Sequence, residues 1–288
     1  MHDDTFLVSK SSLYVVATPI GNRADFTSRA LDVLRQADVI AAEDTRVTGL
    51  LLKHYAISTP MISLREHNER GMAEKLVARM QAGEVVAQVS DAGTPAISDP
   101  GAVLVATAHA AGIRVVPIPG ASALTTALSA AGFTAAHALF YGFLPPKSGQ
   151  RKSELAALAQ SPYQIVFYEA PHRILECLAD LVEVLGADRQ AVLCRELTKT
   201  FETIRRDSLA GLHAFVASDS NQQRGECVVV IDAAPEQERA DGAEFDAVLQ
   251  PLVEELPVKQ AVAIAMRITG APRNTLYERA LQLKDNKS

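Results

Sequence analysis

The sequence predicts two α/β domains followed by a small helical module at the C-terminus, and three observations carry that reading. From Leu13 onward, short β-rich runs alternate with stretches of helical apolar spacing, the pattern of parallel α/β layering. Three of the apolar runs stop at once in glycine, proline and small hydroxyl residues: Thr18-Pro19-Ile20-Gly21-Asn22, Ser90-Asp91-Ala92-Gly93-Thr94-Pro95-Ala96-Ile97-Ser98-Asp99-Pro100-Gly101, and Pro117-Ile118-Pro119-Gly120-Ala121-Ser122. From Ala233 to Asp241 the composition turns to Pro, Glu, Gln and Asp, as in a solvated linker.

Taken in chain order, the first domain spans residues 13–120. Strands are expected at 13–18, 39–42, 61–64, 85–90 and 114–118, and helices at 27–36, 47–55, 68–82 and 102–111, where apolar residues recur at helical spacing. The second domain spans 121–232, with a helix over 122–131, a strand over 139–143 and further strands at 164–168, 191–197 and 226–232. Helices at 174–185 and 208–216 separate the last three strands. Leu144-Pro145-Pro146-Lys147-Ser148-Gly149-Gln150-Arg151-Lys152 breaks regular structure and is basic, so it reads as an exposed loop. The module, 243–288, contains three short helices at 245–256, 259–268 and 275–283. The turn Thr269-Gly270-Ala271-Pro272-Arg273 suits a helix-turn-helix. There Lys259, Arg267, Arg273, Arg279 and Lys284 face only Glu278, in a chain whose formal net charge is −6.

Bulk properties narrow the function classes. The 288 residues are 48% hydrophobic, enough for real cores. The acidic balance argues mildly against a polyanion partner, so any nucleic-acid contact must be local. Cys177, Cys194 and Cys227 lie far apart without Cys-x-x-Cys spacing, which points to buried thiols and away from a disulfide or metal. The start, Met1-His2-Asp3-Asp4, is acidic where a secretory signal is basic, and no window has the uninterrupted apolar length of a membrane helix. A cytoplasmic protein is expected.

A strand that ends in small residues presents bare backbone to a ligand. Three such ends suggest one shared crevice at the carboxyl edge of a parallel sheet, although each loop taken singly is a tight strand-to-helix turn. Those loops belong to an ordered set: Ala-Thr-Pro-Ile-Gly-Asn at 17–22, Ala-Glu-Asp-Thr-Arg at 42–46, Arg-Glu-His-Asn-Glu at 65–69, Ser-Asp-Ala-Gly-Thr-Pro at 90–95, Pro-Ile-Pro-Gly-Ala-Ser at 117–122, Phe-Tyr-Glu-Ala-Pro-His-Arg at 167–173 and Arg-Glu-Leu-Thr-Lys at 195–199. In this the chain resembles the bacterial 2′-O-ribose methyltransferases of small-subunit ribosomal RNA, within the tetrapyrrole methylase superfamily. The resemblance covers about 13–232, and the tail from about Phe245 is similar to an extra module that some members carry.

The resemblance implies two domains of the tetrapyrrole methylase type with a cleft between them, S-adenosylmethionine bound in that cleft, and a homodimer. It implies an acceptor as well: a cytidine ribose of 16S ribosomal RNA within the small ribosomal subunit. Pro19, Ile20, Gly21, Ala92, Gly93, Thr94, Pro95, Ile97, Ser98, Ser122 and Ala123 would wall the donor, with Tyr168 and the turn at Gly225 closing over the adenosine. Many members carry an acidic residue where this chain has Thr94.

Asp44, Arg46 and Glu169 are the catalytic candidates. Asp44 would accept the hydroxyl proton and Arg46 would grip a phosphate; equally, Asp44 or Thr45 is a helix cap. Glu169 precedes Ala170-Pro171, where a helix start is the plainer reading. The proton acceptor stays open among Asp44, His67, Glu169 and water. Arg46, His67, Lys147, Arg151, Lys152, Arg195 and Lys199 would form the RNA-binding track, or else a charged rim of surface ion pairs. No carboxylate cage for a metal is visible. Two other functions fit parts of the sequence: methylation of a tetrapyrrole, and a ligand-regulated DNA-binding protein built around the C-terminal hairpin.

Overall fold

A computed structural model describes residues 7–235 and 245–285. The expectations for Met1–Asp4, for most of the linker and for 243–244 and 286–288 lie outside the described residues.

The first half winds β1 (Ser12–Val16), α1 (Ser28–Gln36), β2 (Val39–Ala42), α2 (Thr45–His54), β3 (Met61–Ser63), α3 (Glu69–Gln81), β4 (Val85–Val89), α4 (Ala102–Ala110) and β5 (Arg114–Ile118) into a parallel sheet of order β3-β2-β4-β1-β5. Its central strands β2, β4 and β1 are largely apolar and almost wholly buried because both faces are covered. Tyr14, Val16, Ile40 and Ala87 pack with α1 on one face, and Leu13, Val39, Ala41 and Val86 pack with α3 and α4 on the other. The order matters for the site: β1 lies between β4 and β5, so the three small-residue loops leave the sheet side by side.

The second half contains α5 (Ala123–Ala131), β6 (Ala138–Phe143), α6 (Ser148–Leu158), β7 (Gln164–Glu169), α7 (Ile174–Leu185), β8 (Gln190–Arg195), β9 (Thr203–Ser208), α8 (Leu209–Ser218) and β10 (Cys227–Ile231). The sheet order is β6-β7-β10-β8-β9; β6 and β7 are parallel and the remaining pairs antiparallel. One face packs on α7 and α8 through Phe167, Leu178, Leu193 and Leu212, and the other on α5 through Val166, Val192 and Val230. Ile20, from the loop after β1, inserts into that second core and joins the halves.

Two expectations need correction here. Residues 144–152 are not an exposed loop throughout, because α6 begins at Ser148 and its Arg151 side chain is 0% exposed. The guanidinium has a carboxylate to reach: its Nε donates to Asp180 at 2.6 Å, and its Nη1 lies 3.3 Å from the carbonyls of Pro145 and Pro146. The strand β9 was also missed, since Thr-Ile-Arg-Arg-Asp-Ser has no apolar run. It is an edge strand, where charged side chains discourage pairing with other chains. Its arginines stay attached by their flat faces, Arg205 over Phe215 at 4.3 Å and Arg206 over Phe133 at 4.6 Å.

Both sheets belong to one compact unit ending at Ala233, and a second begins at Ala234. In the second, α9 (Asp246–Glu255), α10 (Val258–Thr269) and α11 (Arg273–Asp285) enclose Leu249, Val262, Ala265, Leu276 and Ala280. Gly270, at φ +70°, closes α10 in the left-handed conformation, and its N–H donates to Met266 O at 2.9 Å. Arg279 donates to both carboxylate oxygens of Asp246, at 2.7 and 2.6 Å, so one of the five hairpin cations is already partnered. Among the described residues no helix is long and apolar enough to cross a membrane.

Candidate active site

The three loops meet as the sheet order requires. Thr18 and Gly93 exchange backbone hydrogen bonds, Thr18 N–H to Gly93 O at 2.9 Å and Gly93 N–H to Thr18 O at 3.0 Å. Thr18 Oγ1 donates to Ser90 O at 3.1 Å, and Thr94 Oγ1 to Ala121 O at 3.2 Å. Thr94 therefore ties two of the loops together. The loop after β4 holds Gly93 at φ +81°, and also Ala96 at +66° and Ser98 at +65°, where a side chain is strained. Such strain persists only where surrounding contacts over-determine the backbone.

Between these loops and the second sheet lies a cavity of about 360 Å³, within the range of small-molecule sites. Of the residues that the sequence reading assigned to the donor or to catalysis, Ile20, Ala92, Gly93, Thr94, Ile97, Ser98, Ser122, Ala123, Tyr168 and Glu169 line it. Tyr168 is fixed by the Leu124 amide, which donates to its hydroxyl oxygen at 3.1 Å. Pro19 and Gly21 instead line a second cavity, which Ile20 also borders. Pro95 is buried and lines neither; nor does Gly225, whose φ of +79° turns the chain so that Glu226 and Cys227 reach the wall.

The sequence reading missed Glu43, Asp91, Asp99, Phe143, Ala170, Pro171, Cys227 and Val228 as parts of the wall, with Glu226 seen only as part of a turn. The carboxylates had a signal: Glu43, Asp91 and Asp99 each follow a strand whose loop was already singled out. Asp44 N–H donates to Asp91 Oδ1 at 3.0 Å and Asp91 N–H to Glu43 Oε2 at 3.3 Å, which clasps the ends of β2 and β4. Burial raises the pKa of Glu43 and of Asp91. Burial, reinforced by the charge of Glu43, pushes Asp99 up to about 6.

Asp44 is the opposite case. It caps α2 by accepting from Arg46 N–H at 2.9 Å, and its carboxylate is gripped by Arg46 Nε at 3.0 Å and Nη2 at 2.5 Å and by Arg65 Nη2 at 3.2 Å. The Arg46 hydrogen bonds hold its carboxyl well below the usual carboxylate range, which makes it a poor proton acceptor at neutral pH. Glu169 is buried at the end of β7, accepting from Ala170 N–H at 2.7 Å and from Arg173 Nη2 at 3.2 Å. The same Arg173 nitrogen donates to Leu144 O at 2.7 Å, so it holds the chain just after Phe143 as well.

The structure breaks up the expected RNA-binding track. Arg46, His67 and Lys147 are exposed. Arg151 is interior, as described above. Arg195 is buried too, its guanidinium donating to Gln222 Oε1 at 3.0 Å and to the carbonyls of Phe201 at 2.9 Å and Arg224 at 3.2 Å. Lys152 pairs with Glu183 at 2.6 Å, and Lys199 with Glu196 at 2.8 Å and Glu226 at 2.9 Å. Each of these four has internal acceptors within reach, which spacing along the chain does not reveal. Among the described residues no group of three or more His, Cys, Asp or Glu is arranged to hold a metal ion.

Comparison with known proteins agrees with this geometry. The family profile of the Tetrapyrrole (Corrin/Porphyrin) Methylases matches residues 12–213, and that of the RsmI C-terminal HTH domain matches 239–284. A relative from Pseudomonas aeruginosa, named ribosomal RNA small subunit methyltransferase I, is 55% identical over 277 residues, covering 96% of this chain and 98% of its own. One of the same name from Escherichia coli O157:H7 is 49% identical, covering 95% and 96%. Among solved structures, a uroporphyrin-III C-methyltransferase from Thermus thermophilus complexed with S-adenosylhomocysteine superimposes with a TM-score of 0.54 at 17% identity, covering 77% of this chain and 98% of that one. A cobalt precorrin-4 methyltransferase does so with 0.57 at 19% identity, covering 77% and 95%. Nearly full-length identity to those relatives, on a tetrapyrrole methylase fold, means that the chain belongs to the ribosomal RNA small subunit methyltransferase I family.

Proposed function

We propose that this protein transfers the methyl group of S-adenosylmethionine to the 2′-hydroxyl of a cytidine ribose in 16S ribosomal RNA of the small ribosomal subunit. The observation that carries the reading is the cavity at the joined strand ends, lined by apolar side chains and by carboxylates. Ile20, Ile97, Phe143, Tyr168 and Val228 suit an adenosine, and Glu43, Asp91 and Asp99 suit the cationic part of such a donor. When bound, S-adenosylmethionine supplies a methyl group on a positively charged sulfur.

What the chain itself contributes is placement. Holding donor and acceptor in line is worth several kcal/mol, on the order of 7 for a well-oriented pair. The tied loops after β1, β4 and β5 would hold the donor, and Glu169 with Arg173 would stiffen the opposite wall. Arg46 is assigned to an RNA phosphate, with Asp44 as the residue that aims it. We place the enzyme in the cytoplasm as a homodimer, by family resemblance; light scattering would then give twice the 30.9 kDa chain mass.

The deciding experiment is transfer of radiolabelled methyl to small ribosomal subunits from cells lacking the protein, with the label mapped by nuclease digestion. Label on the 2′-oxygen of one cytidine is the expected result. Donor binding without transfer would favour a tetrapyrrole acceptor.

Asp99 adds a pH dependence. A cationic ligand favours the ionised carboxylate, so donor affinity is expected to rise as pH increases through about 6. By the same linkage the raised pKa costs stability as pH climbs from the ordinary Asp value toward 6, because the folded state holds the extra proton there. Asp99→Asn should remove both effects. Calorimetry at pH 5.5 and 7.5 tests this; an equal rise for S-adenosylhomocysteine, which lacks the sulfonium charge, would argue against the charge pairing.

A further inference from the structure

We infer that the second cavity is the acceptor site, taking a single unstacked nucleotide, and that the exposed face of α2 carries the adjoining single-stranded RNA backbone. The inference rests on the methyl-transfer reading and adds where the RNA enters.

The second cavity measures about 320 Å³ and shares Ile20, Asp91, Ala92 and Glu226 with the donor cavity. The four shared residues make the two cavities immediate neighbours, so a group seated in one lies beside a group seated in the other at their common edge. That is the adjacency direct transfer requires, because reacting atoms must approach to about 3–3.5 Å. Enzymes that react on a base draw the nucleotide out of its stack into a pocket, and the same extrusion would present a ribose here.

The sequence of α2 makes the outer wall. The helix turns Thr48 and Leu52 inward, yet it leaves Val47 45% and Leu50 71% exposed beside the cavity. Side chains three and four residues apart share a helix surface. Leu50 is therefore flanked by Arg46 one turn before it and by Lys53 and His54 one turn after, all three exposed. Arg23, on the facing loop and also lining the cavity, places its Nη1 3.4 Å from His54 Nδ1. A guanidinium can only donate, so that imidazole nitrogen accepts. The Arg46 side chain is 83% exposed and binds Asp44 through Nε and Nη2, so its outer edge faces solvent.

An apolar patch bordered by cations, with the carboxylates of Asp91 and Glu226 on the edge shared with the donor cavity, matches one ligand chemistry: the flat face of a base against Val47 and Leu50, with phosphates at the Arg23, Arg46 and Lys53 rim. It also reconciles an acidic chain with an RNA substrate, since Arg46, Lys53 and Arg23 gather positive charge locally at this face.

The test is Leu50→Glu, a surface change whose folding is checked by thermal melting. The expected result is donor affinity within about twofold of wild type by calorimetry, with kcat/KM for small ribosomal subunits reduced at least tenfold by charge repulsion and a lost base contact. In parallel, p-benzoyl-phenylalanine placed at Leu50 should cross-link to ribosomal RNA next to the methylated nucleotide. Unchanged kcat/KM would overturn the inference, as would a shift in molar mass on light scattering, because the face would then belong to a second copy of this chain. If wild-type enzyme transferred no methyl, the methyl-transfer reading would fail by itself. The cross-link would still decide the RNA face: RNA adducts at position 50 would support it and their absence would overturn it.

Discussion

Replacing Arg151 by methionine is expected to destabilise the unit that carries both sheets by about 3–5 kcal/mol, the magnitude found when one member of a buried ion pair is left alone. The side chain is 0% exposed, while Asp180 retains only 6% exposure, so neither charge can be rehydrated without opening the α6–α7 contact. Lys152 Nζ, 3.5 Å from Asp180 Oδ1, and Ser148 Oγ, donating at 2.9 Å, offset part of the loss. They place the effect toward the lower end. The double variant Arg151→Met with Asp180→Leu should recover most of the stability, because removing both charges also removes their desolvation cost. Urea denaturation measures both. A loss of RNA affinity at unchanged stability would return Arg151 to the RNA-binding surface.

Replacing Gly93 by valine is expected to weaken binding of S-adenosylmethionine at least tenfold, a loss of about 1.4 kcal/mol or more. At φ +81° a β-branched residue is strongly disfavoured, by roughly 1–3 kcal/mol. Space at the first carbon is not the obstacle, since a Cβ there would meet Ile20 Cγ2 at 3.4 Å and Ala121 O at 3.8 Å. The cost comes from the backbone angle and from γ-methyl groups entering the cavity. Relaxing that angle would also disturb the paired hydrogen bonds with Thr18. Gly93→Ala should therefore be intermediate. Calorimetry showing wild-type affinity for the valine variant would remove this loop from the donor wall.

Much of the fold was legible because its elements are locally specified. β1 and β4 are largely apolar runs that stop in glycine, proline and small residues, and α7 and α10 have the apolar spacing of helices packed on one face. The parts that escaped were those where a distant partner overrides local character. β9 is polar and exists by pairing along β8, six residues deep from Gln190↔Ser208 to Arg195↔Thr203. α6 begins in a segment of proline, lysine, serine and glycine, and is held by a charge on α7.

The site divides in the same way. Short motifs identified the loops after β1, β4 and β5 and the family, because close backbone approach demands glycine and small residues at defined places in the chain. Which cations face solvent was decided by the tertiary structure. Arg46, Arg151 and Arg195 are the same residue type, yet the first is exposed and the other two are buried among acceptors contributed from 29 and 27 positions away. The acidity of Asp99 was decided there too, since its pKa follows from burial beside Glu43, which another strand supplies. Sequence by itself determined the local backbone and the chemistry available. Only packing determined which charges water could reach, because solvation depends on neighbours that the chain brings together from far apart.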